Sequence, residues 1–273
     1  RSKDFSLDAD TLQYAHGQQK TIYLGPTYIT TGDSTLIYTE RGWSKTQENK
    51  SVFYQHAHIT TETQDILADS IFYDNKQGIG EMWRNVFVLD TVEDFAVKGQ
   101  YGYMRESDEY TRIEGDSAVF IQFDSDTLYL HGDSLIATVD STTDKRRIRA
   151  FPNAAFFRND MQGRCDSLVF SDPDSTIKMF YQPIIWSDAN EISAAYIEML
   201  RYDGKIHQMM LQKNPLIVRE EYSLHYNQMQ GDSMVAYFKS NDLERVRVFG
   251  NGNTLYYVKD GSEMVGMNVA TSD

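Results

Sequence analysis

Apolar and polar residues alternate with a period of two along most of this chain, the spacing of strands that turn one face to a core and the other to water. Thr21 to Ile29, Gly80 to Leu89 and Arg245 to Asn251 all show it. The apolar stretches last five to eight residues and close on turn formers such as Asp74-Asn75, Asp124-Ser125-Asp126, Ser171-Asp172-Pro173-Asp174, Asp203-Gly204 and Asn251-Gly252-Asn253. The pattern predicts an all-β chain. One segment dissents, because Ala189 to Leu200 spaces Ile192, Tyr196, Met199 and Leu200 at helical intervals around Ala194 and Ala195. Gly204 to Leu211 follows it as a turn and partner strand, so the strand frame is expected to hold there too.

A short motif recurs within this frame: a small residue, Asp, Ser, then three mostly apolar positions. It begins at Gly32, Ala68, Gly115, Gly132, Cys165 and Gly231, with weaker copies at Lys98-Gly99-Gln100-Tyr101 and at Ile192 to Ile197, where Ala195 replaces Asp. The copies start 16 or 17 residues apart, or 31 to 37, so the unit is about 17 residues. That length holds two strands and two turns, an out-and-back antiparallel pair, and predicts roughly 28 strands at nine to ten residues each. The plain reading of the motif is a strand start: the small residue permits a tight turn, and Asp and Ser bond nearby amides. A calcium-binding β-helix ladder would need further Gly and Asp at alternate positions, which are missing. No linker or composition shift divides the chain, so a single continuous domain is expected over 1–273.

Composition narrows the function classes. The 273 residues carry 26 Lys and Arg against 40 Asp and Glu, a net charge of −14, and the run Lys145-Arg146-Arg147 with Arg149 is too short to outweigh that field. Nucleic acid and anionic membrane surfaces are poor partners. With 41% hydrophobic residues, 18 Tyr and 14 Phe, the chain can bury a core without staples. Its one cysteine, Cys165, forms no internal disulfide.

Candidate chemistry is sparse. His56 and His58 could share a strand face, but no third metal ligand stands near them, so no metal site is expected. Cys165 occupies the small position of the repeat and has no local base. Acid pairs such as Asp124 with Asp126, Asp172 with Asp174 and Glu220 with Glu221 fall at turns or strand ends. No phosphate loop, nucleophile elbow or zincin motif is present. No enzyme activity and no cofactor are expected.

The small-Asp-Ser strands alternating with strands such as Trp83-Arg84-Asn85-Val86-Phe87-Val88 resemble the OstA-like, LptA-type family of periplasmic lipopolysaccharide-transport proteins. The resemblance runs from about Ser6 to Val258, with Arg84 standing where Gly is usual. It implies an elongated, twisted β-jellyroll, a V-shaped open sandwich built from repeated antiparallel strand pairs, with lipid acyl chains lying between its sheets. On that footing the groove would be lined by Leu36, Phe72, Val119, Ile136, Val169 and Val235. The implied partners are lipopolysaccharide and other transport components or a second copy, joined by edge-strand addition. The implied place is the periplasm, with the signal segment outside this sequence.

The competing reading is an extended β protein, helix or sandwich, that binds or processes polysaccharide, with Trp43, Trp83 and Trp186 as stacking platforms. The inward face of the motif strands stays open. In the copy at 133, Leu135, Ala137 and Val139 favour one face, while in the copy at 116, Val119, Ile121 and Phe123 favour the other.

Overall fold

A computed structural model describes residues 5–31, 34–123, 126–202, 205–222, 225–239, 242–261 and 263–273. The motif residues Gly32 and Asp33, and the turn residues Asp124, Ser125, Asp203 and Gly204, lie outside the described residues. Among the described residues there are 29 strands and two single-turn 3-10 segments, His16–Gln18 and Glu106–Asp108, and no α-helix. Asn190–Ser193 and Tyr196–Tyr202 are strands, so the repeat frame overrides local helix propensity there. Burial decides it: Ile192, Ala194, Ile197 and Met199 are buried, Ser193, Tyr196 and Glu198 are half-buried and Ala195 is exposed, which is the alternation of a strand.

The chain forms two units, 1–139 and 140–273. In each, antiparallel strands build a long sheet folded lengthwise along a seam, giving two leaves. In the first unit the fold is carried by four long strands, Lys50–Thr60, Gln64–Asp74, Ile79–Asp90 and Phe95–Arg105, each of which belongs to one leaf before its bend and to the other after it. Their ladders shift register at the bends: between Tyr54 and Ala57, Leu67 and Ser70, and Gly99 and Tyr101. In the second unit the bends have become corners between separate short strands, as between Met161–Cys165 and Ser167–Ser171. The sheet does not close: Glu263–Ser272 pairs only with Gly252–Asp260, and Asp242–Phe249 only with Ser233–Lys239, among the described residues.

The repeated motif marks the seam. Ala68-Asp69-Ser70 sits at a bend, and the copies at 115, 132, 165 and 231 each join a strand of one leaf to a strand of the other. The small residue serves packing more often than turning. A Cβ on Gly231 would stand 2.4 Å from Val248 Cγ1, and one on Gly99 would stand 2.3 Å from Ile113 Cγ2. Among the described motif glycines only Gly115 needs a positive φ, at +125°. Five other corners use two successive residues in the left-handed region: Gln55-His56, Arg84-Asn85, Tyr181-Gln182, Lys213-Asn214 and Gly250-Asn251. This explains why a Gly-Asn pair suits the position, since those two residues enter that region at least cost.

At the far margins of the leaves the strands close in hairpins with their own device. The carboxylates of Asp74, Asp90 and Asp140 each accept bonds from the amides two and three residues on, 2.8 to 3.1 Å long. Gly78, Asp94 and Asp144 then reverse the chain at φ of 62°, 50° and 55°. Neighbouring hairpins are stitched along a leaf, Asn75 N to Asn49 O and Arg201 N to Ser175 O.

Candidate functional site

Strand register turns the period-two pattern into transverse rows. In one leaf of the second unit two inward rows cross seven strands. One runs Ile148, Phe170, Ile177, Met199, Met209, Ala236, Val246, and its neighbour runs Ala150, Leu168, Met179, Ile197, Leu211, Met234, Val248. All are apolar, and all but the terminal Val246 and Val248 are buried. Six strand spacings of about 4.8 Å make each row roughly 29 Å long. The facing leaf contributes Phe156, Gly163, Ile185, Ile192, Ile217 and Met229, paired in that order. Four buried methionines, 179, 199, 209 and 234, concentrate unbranched and adaptable side chains in this interior. In the first unit one row reads Tyr23, Gly42, Phe53, Ile71, Met82, Gly102, Ile113, Leu135, and every member is buried.

Four of the six residues read from the sequence, Phe72, Ile136, Val169 and Val235, are placed one position away from these inward rows. Val169 and Val235 stand in the row Arg149, Val169, Lys178, Glu198, Met210, Val235, Arg247, where Lys178 and Glu198 form an ion pair at 3.6 Å. Phe72 and Ile136 share a row with Trp43, Glu81, Tyr103 and Arg112. Val119 lies beside Lys98 and His131. These five are half-buried, and Leu36 is 40% exposed. In the motif copies at 115, 132, 165 and 231 the buried residues next to these are Ala118, Leu135, Leu168 and Met234.

The polar candidates separate. The His56 ring lies 3.1 Å from Glu40 Oε1, while His58 lies 3.1 Å from Asp65 Oδ1, so the two rings have different partners. Thr60 also donates to that Asp65 oxygen at 2.7 Å; this bond first, and the His58 contact second, hold the Asp65 carboxyl below the usual carboxylate range. Cys165 donates from Sγ to Ser167 O at 3.1 Å, and burial pushes its thiol up to about 12. The tryptophans stand among charges. Lys20 Nζ lies 4.6 Å from the Trp43 ring centre, Arg164 lies 5.5 Å from that of Trp186, and Trp186 Nε1 donates to Glu191 at 2.9 Å. Trp83 packs on Tyr101 with ring centres 6.1 Å apart.

A feature absent from the sequence reading is a clamp across the seam. An acid at one corner accepts from an amide or faces an imidazole at the next: Asp69 with Asn85 at 2.9 Å, Asp232 with Asn251 at 3.0 Å, and Glu40 with His56. The partners are 16 or 19 residues apart, one repeat unit, and that spacing of acids and amides was available in the sequence.

No protein-family model matches the chain, and no curated protein matches it. Among solved structures it is similar to LptH of Pseudomonas aeruginosa, the LptA-homologous periplasmic component of the conserved lipopolysaccharide transport device. The two are 5% identical over 76% of this chain and 82% of that one, with a TM-score of 0.16.

Proposed function

We propose that this chain binds lipopolysaccharide by taking its acyl chains between the two leaves, and passes the lipid through the periplasm without covalent chemistry. The observation that carries the reading is the pair of unbroken apolar rows across seven strands, faced by a third from the other leaf. A sandwich of this kind is continuous in backbone along its seam, while its margins are stitched within each leaf, so parting the margins exposes the rows and leaves the ladders intact. Acyl chains would replace side-chain contacts one apolar surface for another, with burial worth about 25 cal/mol per Å² on each side. Methionines suit such a surface because they repack without strain.

Partners would join at the open sheet edges. Among the described residues Glu263–Ser272 has a strand partner on one side alone, with Val265, Met267 and Val269 each more than half exposed, which suits strand addition by another transport component or a second copy.

The eleven methionines allow one experiment to test the reading. Photo-methionine replaces methionine nearly isosterically, so the protein can be labelled throughout, irradiated with lipopolysaccharide and mapped by mass spectrometry. Crosslinks are expected at Met199, Met209 and Met234. Crosslinks confined to the outward Met210 or the edge residues Met264 and Met267, or none at all in folded protein, would overturn it. A photoreactive residue at Val119 or Val235 checks the opposite face in the same way.

A further inference from the structure

The seam of the second unit carries an open cleft of about 720 Å³, within the range of small-molecule sites. It is built where the repeat departs from its own rule. At the corner after Asn190–Ser193 the motif has Ala195 in place of its acid, and the facing corner is Lys213-Asn214. Asn214 is the counterpart of Asn85 and Asn251, whose amides are clamped by Asp69 and Asp232, but opposite Asn214 there is only a methyl group. Loss of the carboxylate does two things at once: it clears space between the corners, and it leaves the lysine and the amide of that corner without the acid that other corners supply.

The rest of the lining reinforces the sign of the site. Fourteen residues form it, among them Arg164 and Lys213, and none is Asp or Glu in a chain with 40 acids. Neither cation has a carboxylate partner among the described residues; Arg164 lies over the Trp186 ring instead. The floor is small, with Ala154, Ala194 and Ala195. The rim carries the Tyr181 ring, 72% exposed, with the Gln182 amide beside it. Two cations with no carboxylate partner among the described residues, side-chain amides and an exposed aromatic face in one concavity match a ring that bears hydroxyls and a negative charge.

We propose that this cleft binds an anionic saccharide, a sugar phosphate or a uronate, with Arg164 and Lys213 on the charge and Tyr181 against the ring. The site lies on the seam, apart from the apolar rows, and stands whether or not acyl chains bind between the leaves.

Trp186 supplies the readout, because an anion that draws the Arg164 guanidinium off its ring changes its emission. In the 273-residue chain with Trp43→Phe and Trp83→Phe, glucose 1-phosphate or glucuronate is expected to give a saturable change, while glucose gives none. The phosphate and uronate arms tell which anion the site takes, and inorganic phosphate tells whether the ring matters. Arg164→Gln and Lys213→Gln should each weaken binding about tenfold or more, the loss of one charge-assisted hydrogen bond. The decisive variant is Ala195→Asp, which restores the acid found at the other corners, and so keeps the fold, while placing a negative charge against Lys213. It should abolish binding and leave thermal stability equal or higher. No saturable response to either anionic sugar, or binding unchanged in folded Ala195→Asp, would overturn the proposal.

Discussion

Asn251 donates from Nδ2 to both carboxylate oxygens of Asp232, 3.2 Å to Oδ1 and 3.0 Å to Oδ2, and so ties two successive corners of the folded sheet. Both side chains are exposed, which brings the contribution below the usual range for a hydrogen bond to a charged group, to about 0.5–1 kcal/mol. Asp232→Ala and Asn251→Ala should each lower stability by about that amount, and the double variant by no more than either alone. Urea denaturation of the four proteins measures the coupling. Additive losses would mean that the corner is held by its backbone and the clamp is incidental.

Packing at the same corner makes a larger demand. Gly231→Ala should cost about 1–3 kcal/mol, because its new methyl meets Val248 Cγ1 at 2.4 Å and the strand behind it must shift. Val248→Ala in the same chain should recover part of the loss. Gly261→Ala is the contrasting case: no atom stands near its Cβ, and any cost comes from its φ of +62° alone.

Arg84 holds a φ of +60° at a corner where a second corner has Gly250. Its guanidinium is exposed. Arg84→Gly should therefore stabilise the protein by about 0.5–1 kcal/mol, left-handed strain relieved less the greater freedom of glycine in the unfolded chain. A lower melting temperature for the variant would show that the arginine side chain has a role at the seam.

The strand frame was readable because a period of two survives even where local propensity opposes it, as at Ile192 to Met199. The seam was harder to see. Leu67-Ala68-Asp69-Ser70-Ile71 carries no Gly or Pro, yet the chain changes leaf within it, because a register shift between long strands needs neither. The inward face was ambiguous for a related reason: the outward rows also hold apolar residues, Val52, Phe72, Ile136, Met210 and Val235 among them, so hydrophobicity alone separates the faces poorly. Register resolved it by showing what each stands beside. Val235 pairs with Met210 and Arg247, whereas Met234 pairs with Leu211 and Val248. The proposed anionic-sugar cleft depends on corners up to 61 residues apart, Asn153 to Asn214, and only the fold brings them together.

Asp65 provides a pH test with a defined sign. Its carboxyl is held below the ordinary range by the Thr60 hydroxyl and then by His58, so its folded pKa lies under its unfolded one. The stabilisation is present above the unfolded value, about pH 4, and is lost as pH falls through the folded one. Asp65→Asn should be less stable than the parent at pH 7, and the gap should close below about pH 4. A gap that persisted in acid would place the effect on packing.

Cys165 lines the seam cleft, yet its thiol is pushed up to about 12, chiefly by burial. At pH 8 it is a thiol, and the thiolate is the nucleophile. Alkylation by iodoacetamide should be slow in the native protein, many times faster in urea, and should rise with pH until well past pH 10. Rapid native labelling at pH 8 would mean that the sulfur is neither buried nor protonated as described.

Met209 and Met210 are neighbours in sequence and opposites in place. Met209 is buried in the inward row between Met199 and Ala236, while Met210 is half-buried in the outward row between Glu198 and Val235. Glutamine is close to methionine in length, so it changes polarity with little change in shape. At 210 the amide can reach water, and Met210→Gln should alter stability by no more than about 0.5 kcal/mol. At 209 the amide is shut among apolar side chains, and Met209→Gln should cost about 2–4 kcal/mol, the penalty for burying an unpartnered polar group and losing apolar contact. Dilute peroxide gives an independent reading on the unaltered protein: Met210 and the exposed Met267 should oxidise before Met199 and Met209. If lipopolysaccharide enters between the leaves, it must displace these same contacts, so Met209→Gln at a temperature where it remains folded should lose lipid capture while Met210→Gln keeps it. Equal capture by both variants would remove the inward row from the path of the acyl chains.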